Sequence, residues 1–169
     1  MAEIGHIEPV KPTSNQGGFD MLWTSFTLVP DNLYDEEQED LWLNFLKRQI
    51  PRDQEIGKEQ ITSQHCVCLF EKRKNRDSHI IPYLIRLASD KLQSTVCAIR
   101  QADKMAVAVI INSKLQLANI YEAGTKEQML YWLLRIYEQL NIPKETPLYI
   151  QCGEGTKKLL NSHFITSNF

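Results

Sequence analysis

The stretch from Met105 to Ile111 is apolar at every position and is bounded by short polar turns, Gln101-Ala102-Asp103-Lys104 before it and Asn112-Ser113-Lys114 after it. A run of this length without polar alternation reads as a strand covered on both faces. Its neighbours are fixed by the turns. A parallel pair needs a crossover of about a dozen residues or more, so turns this short force an antiparallel meander. Thr95 to Arg100, alternating and rich in β-formers, is the strand before it, and Leu115 to Tyr121 is the strand after it.

Thr125 and Gln128 then make a capping box, opening a helix with Met129, Leu130, Leu133, Leu134, Ile136, Tyr137 and Leu140 on a broad apolar face. Asn141 and Pro143 close it. Pro147 to Gln151 is a fourth strand, and Cys152-Gly153-Glu154-Gly155 turns into a last short helix, Thr156 to Asn161. The long helix suffices as a crossover, so the fourth strand can run parallel to the first. The prediction is an α/β protein with a mixed sheet and helices packed on it.

Signals in the first half are weaker. Residues 1–20 combine Pro9, Pro12, Gly17 and Gly18 with Ser, Asn and Gln, the composition of a flexible N-terminal tail. Leu22 to Val29 predicts a strand ending at Pro30. Asp35 with Gln38 predicts a capped helix carrying Leu41, Trp42, Phe45 and Leu46 on one face and ended by Pro51. Residues 51–63 predict a loop, and His65 to Phe70 a strand. The charged stretch Glu71-Lys72-Arg73-Lys74-Asn75-Arg76 is expected in solvent, and Ile80 to Ala88 predicts a helix with Pro82 in its first turn.

At 169 residues, 43% hydrophobic and 24% charged, the composition is that of a globular domain or of two small lobes sharing a core. No apolar stretch approaches the ~18 residues of a spanning helix, and the first residues lack the basic-then-apolar order of a secretory signal. A cytoplasmic protein with no membrane partner is expected. A net charge of −2 provides no field to gather nucleic acid. Lys72, Arg73, Lys74 and Arg76 could meet phosphates, but no aromatic is interleaved among them for base stacking, so nucleic acid is not an expected partner.

Chemistry-bearing patterns are incomplete. His65, Cys66 and Cys68 do not have the paired spacing of zinc ligands, and no metal is expected. Cys66, Cys68, Cys97 and Cys152 read as reduced thiols. A Cys66–Cys68 bridge is not expected, on the reading that their side chains diverge across the strand. Asp77-Ser78-His79 sets three triad residue types side by side, but working triads assemble from distant segments, and the stretch reads as a polar loop capping the next helix. Asp31, Asp35, Glu36, Glu37, Glu39 and Asp40 suit the positive end of a helix. Gly153 and Gly155 stand where a strand hands over to a helix, a place that holds anions, though without a Walker lysine or a full G-x-G-x-x-G.

Two stretches carry a family resemblance: Phe26-Thr27-Leu28-Val29-Pro30-Asp31-Asn32-Leu33-Tyr34-Asp35-Glu36-Glu37, and the region from Met105 through Ile150 with its KLQLANIYEAGTKEQMLYWLLRIYEQLNI segment. The meander-helix-strand order is that of a ribonuclease H-like lobe, the building block of actin-like ATPases. The chain resembles an uncharacterised bacterial family of unknown function with an actin-like ATPase fold. The resemblance implies a flexible tail over 1–20, a reduced N-terminal lobe over 21–94 and a ribonuclease H-like C-terminal lobe over 95–169. It also implies where a nucleotide would sit. Actin-like ATPases hold phosphates on an Asp-x-Gly hairpin between the first two strands of each lobe. Here that hairpin is Ile99 to Met105, which has no glycine. The adenosine-side glycines are echoed by Gly153, Glu154 and Gly155.

The expectation is therefore a non-catalytic interaction or scaffold protein with no cofactor, whose partner is another protein or a second copy of itself. Trp23, Trp42, Trp132, Tyr131 and Tyr121 form a surplus of large apolar groups, with Tyr131 and Trp132 partly off their helix's apolar stripe. The alternative is an ATP-binding protein, with magnesium, using Gly153, Glu154 and Gly155 with Glu154 or Lys157 near the ligand.

Overall fold

The computed structural model describes residues 21–39, 41–42, 55–73, 76 and 78–169. The tail reading for 1–20 and the continuation of the Asp35 helix through Phe45, Leu46 and Pro51 lie outside these residues. Eight strands form two sheets: β1 (Phe26–Pro30), β2 (Ile56–Ile61) and β3 (Cys66–Glu71) in the order β1-β3-β2, and five more strands in the order β6-β5-β4-β7-β8. The second sheet contains β4 (Thr95–Gln101), β5 (Lys104–Ile111), β6 (Lys114–Glu122), β7 (Leu148–Gln151) and β8 (Thr166–Ser167). Helices α1 (Ile80–Ser89), α2 (Lys126–Gln139) and α3 (Glu154–Leu160) lie among the described residues.

The meander forms as the turn lengths dictate. β4, β5 and β6 pair antiparallel, and β7 returns parallel to β4 with Val96 beside Leu148. The expected α/β class is borne out, mixed sheet included. Alternate residues of the apolar run serve opposite faces, as a two-residue period requires. Met105, Val107 and Val109 join α2 and α3, whereas Ala106, Ala108 and Ile110 join α1. The alanines let the Ile and Leu side chains of α1 approach the sheet closely. The same α1 cluster takes in Ile61, Cys66, Cys68 and Phe70, so one core links the small sheet, α1 and the large sheet.

Both main helices start where side chains close their first turns. Thr125 and Gln128 form the reciprocal capping box on α2, with Gln128 N donating to Thr125 Oγ1 at 3.2 Å and Thr125 N donating to Gln128 Oε1 at 3.1 Å. His79 caps α1, its Nδ1 accepting from Ile81 N at 3.2 Å. The capping role read for the 77–79 stretch thus holds at His79; Asp77 lies outside the described residues.

Three expectations need correction and one is refined. Residues 56–61 form an edge strand, not a loop: its exposed Lys58 and Gln60 hide the alternation that buried Gly57 and Ile61 complete. Gly57 is required there, because a Cβ would stand 2.4 Å from Phe70 Cε2. The first strand begins at Phe26, since Leu22 instead bridges to His79, with Leu22 N donating to Ser78 O at 2.9 Å. Asp35 opens on a 3-10 turn, Glu36–Gln38, by accepting from Glu37 N at 2.9 Å, and helical residues follow at Glu39, Leu41 and Trp42. Cys66 and Cys68, two positions apart, share a face and do not diverge, while Val67 and Leu69 face the other way; both thiols are free.

Candidate functional site

In the large sheet, Ile99 on β4 pairs with Gln151 on β7, so the β4–β5 hairpin and the Gly153–Gly155 turn project from the same sheet end. The hairpin is closed by the Gln101 to Lys104 pair with only Ala102 and Asp103 between them, and Ala102 adopts φ 53, a conformation glycine takes more readily. Asp103 O accepts from Ala123 N at 2.6 Å. From β4, Arg100 reaches across to the same loop, Nε donating to Ala123 O at 3.0 Å and Nη2 to Gly124 O at 2.6 Å. The corner is thus tied to the loop that leads into α2, and it offers no glycine backbone for close approach to a phosphate.

A cavity of about 250 Å³ opens beside this hairpin. Its walls come from three segments far apart in sequence: the stretch from Met21 to Thr24, the pair Arg73 and Arg76, and the hairpin from Gln101 to Lys104. The ionisable side chains among them are two arginines, Lys104 and Asp103. Two wall residues, Trp23 and Gln101, carry the buried side-chain polar atoms without a hydrogen-bond partner among the described residues, Trp23 Nε1 and Gln101 Oε1. An unmet buried polar atom costs about 1–3 kcal/mol. Gly153, Glu154 and Gly155 do not line this cavity.

At the neighbouring corner all three predicted residues are exposed. Gly153 is extended at φ −67, ψ 153 and accepts from Thr156 N and Lys157 N at 3.0 and 3.1 Å. A Cβ added at either glycine meets nothing within 4 Å. Lys157 is engaged away from the turn, its Nζ donating to Asn168 Oδ1 at 2.6 Å. The helix that follows is only seven residues long, a weak dipole for an anion.

His79, fully buried, is structural. Its Nδ1 accepts, which leaves Nε2 protonated to donate to Thr24 O at 3.1 Å. The ring lies 5.1 Å from that of Phe70 and 5.4 Å from that of Phe26. Burial pushes its pKa down to about 4, so it remains neutral. Burial also raises all four thiols, Cys97 to about 12, so none is an activated nucleophile. No group of three or more potential metal-ligating residues occurs among the described residues. Two of the carboxylates near residue 36 also hold a lysine: Lys58 Nζ donates to Glu36 at 2.8 Å and to Glu39 at 3.1 Å, tying β2 to that turn. In the basic stretch, Lys72 lies 3.9 Å from Glu55, and Lys74 is outside the described residues.

The large aromatics separate by location. Trp23 packs on the α1 core, and Trp42 on the outer face of the small sheet. Trp132 donates to Glu122 O at 3.0 Å, with its ring 4.7 Å from Tyr121 and 5.2 Å from Tyr131. This cluster overhangs β6, an edge strand of the large sheet, where Leu115 N donates to Gln64 Oε1 and Ile120 N to Asn119 Oδ1. Beside it Tyr131 is 55% exposed and Leu134, on the same helix face, 41%.

The sequence from 22 to 165 matches the family described as "Protein of unknown function (DUF3822)". The chain belongs to this family. A solved structure from Bacteroides thetaiotaomicron, described as a protein with actin-like ATPase fold and unknown function, aligns with it at a TM-score of 0.65 and 20% identity. The alignment covers 83% of this chain and 63% of that one, so this DUF3822 chain spans under two thirds of that protein's length. At this identity the likeness shows the fold alone: the chain has an actin-like ATPase fold, as the sequence resemblance implied. No curated protein matches. Among the described residues no helix is long and apolar enough to cross a membrane.

What sequence reasoning missed is the cavity. Met21 to Thr24, Arg73 and Gln101 carry no shared motif, and only folding brings them together.

Proposed function

We propose that this chain is a non-catalytic, cytoplasmic, bacterial interaction protein that associates with a second copy of itself through the edge strand β6. The observation behind this reading is the exposed Tyr131 and Leu134 stripe beside that edge. Surface apolar groups next to an edge strand are an ordinary means of sheet extension across an interface, and the side chains of Gln64 and Asn119 that meet the β6 backbone give way to the partner strand. The occupant follows from the pattern along β6. Leu117 and Tyr121 lie on the α2 face, and an antiparallel β6 pair centred on Asn119 sets Leu117 of each copy opposite Tyr121 of the other, a self-complementary pattern that a two-fold axis satisfies twice. The two α2 helices then flank the axis on one face, and each covers the apolar stripe of the other.

The non-catalytic part rests on the β4–β5 corner, where Ala102 and a tied-down backbone occupy the position of a phosphate-gripping loop. Phosphate release from ATP and magnesium is expected to match that of buffer alone. Light scattering after size exclusion tests the association: the chain is expected at twice its mass, and a Tyr131→Ser, Leu134→Ser variant at its single mass. A native chain that stays single at every concentration refutes the reading.

A further inference from the structure

We propose that Gln64 is a clasp on the edge of β6, an autoinhibitory contact that the chain opens before a second copy pairs there. The inference rests on the β6 pairing proposed above and names what controls it. Gln64 belongs to the turn Thr62–Gln64 between β2 and β3, so a side chain of the small sheet reaches the large one. Its carboxamide is committed at both ends. Oε1 accepts from Leu115 N at 2.7 Å, and Nε2 donates to Ser89 Oγ at 3.1 Å and to Ser113 O at 3.3 Å. Ser89 is itself fixed, its Oγ donating to Ile85 O at 2.8 Å within α1. The carboxamide thus bridges the last turn of α1, the β5–β6 turn and the start of β6.

These bonds lie where a partner strand must run. In an antiparallel strand alternate residues turn their N–H and C=O groups to opposite sides. Ile120 N donates to Asn119 Oδ1 at 2.9 Å and Glu122 O accepts from Trp132 Nε1 at 3.0 Å, both off the sheet, so Ala118, Ile120 and Glu122 face outward. An antiparallel pair centred on Asn119 uses that row. It brings Ala118 opposite Ile120, Gln116 opposite Glu122 and Leu115 opposite Ala123 of the other copy. Gln64 stands on Leu115, so the end of the incoming strand and the carboxamide compete for one place. Covering an edge is a common way to blunt it. Asn119 and Trp132 act from β6 and α2 themselves, so Gln64 is the contact through which the small sheet bears on the edge. Such coupling is reciprocal. An event that draws the Thr62–Gln64 turn away from β6 favours pairing, and pairing releases the turn from Ser89 and Ser113.

Sedimentation equilibrium of the full chain tests the clasp. Gln64→Ala is expected to pair about tenfold or more tightly than native, since each of the two copies loses a hydrogen bond that pairing would break. Ser89→Ala, which removes only the Nε2 anchor at the end of α1, is expected to shift in the same direction, and it decides the matter if Gln64→Ala does not fold. In the isotope-labelled native chain the side-chain amide resonance of Gln64 is expected to move on the same concentration curve as the mass. A native chain that pairs while the folded variants pair no more tightly, or while the Gln64 amide stays in place, overturns the clasp and leaves the β6 pairing standing. A native chain that stays single while Gln64→Ala pairs overturns the native pairing and supports the clasp. Native and variant chains that all stay single overturn both.

Discussion

Lowering the pH should remove a definable part of the stability through one residue, His79. The imidazole is clamped between Ile81 N and Thr24 O and flanked by Phe26 and Phe70, so a second ring proton would have no acceptor and no water. Burial holds its folded pKa at about 4 against 6.5 in an open chain. Between those values the unfolded chain takes up a proton that the folded chain refuses. Stability is therefore fully present above pH 6.5, declines as pH falls toward 4, and then levels. The interval from 6.5 to about 4, at about 1.4 kcal/mol per pH unit, amounts to about 3 kcal/mol. Urea unfolding at several pH values measures it directly, since the midpoint moves while the slope stays constant. His79→Asn supplies the control, because Asn can still cap α1 but has no proton to take up in this range. Its absolute stability is lower, from lost ring packing, but the decline between pH 6.5 and 4 should be absent. Glu39, lowered chiefly by the Tyr34 hydrogen bond, and Glu127, lowered chiefly by its own backbone N–H, lose their contributions as pH falls below the carboxylate range in both proteins. An equally steep decline in the variant refutes the assignment to His79.

Other perturbations have equally definite expectations. Gly57→Ala forces a Cβ to within 2.4 Å of the Phe70 ring, and overpacking of this kind costs about 1–3 kcal/mol in chemical unfolding. Ala102→Gly relieves a positive φ of 53 and should stabilise the fold by about 1 kcal/mol, read as a higher melting temperature. Thr125→Ala removes one half of the capping box and should cost about 1 kcal/mol, with faster amide exchange in the first turn of α2.

The second half of the fold is legible because its determinants are local. Met105 to Ile111, its two short turns and the Thr125–Gln128 box each specify structure within a few residues, and together they leave one topology open. The edge strand over 56–61 is not legible. Its polar Lys58, Glu59 and Gln60 read as a loop, and what makes it a strand is β3, whose pairing offsets the weak intrinsic propensity. The two-residue β8 depends in the same way on β7. The cavity is the extreme case. Trp23, Arg73 and Gln101 are separated by about fifty or about thirty residues, and no periodicity connects a donor on one segment to an acceptor on another. His79 lies between these extremes. Its capping role was readable from its position before an apolar run, but its burial was not.

Self-association through β6 is tested most directly by placing like charges at the centre of the proposed pair, measured by sedimentation equilibrium. The native chain is expected at twice its mass. Asn119 is exposed on β6, and Asn119→Lys sets two ammonium groups opposite each other at the two-fold axis, so single chains are expected. A native chain that stays single, or an Asn119→Lys chain that pairs as well as native, contradicts the account.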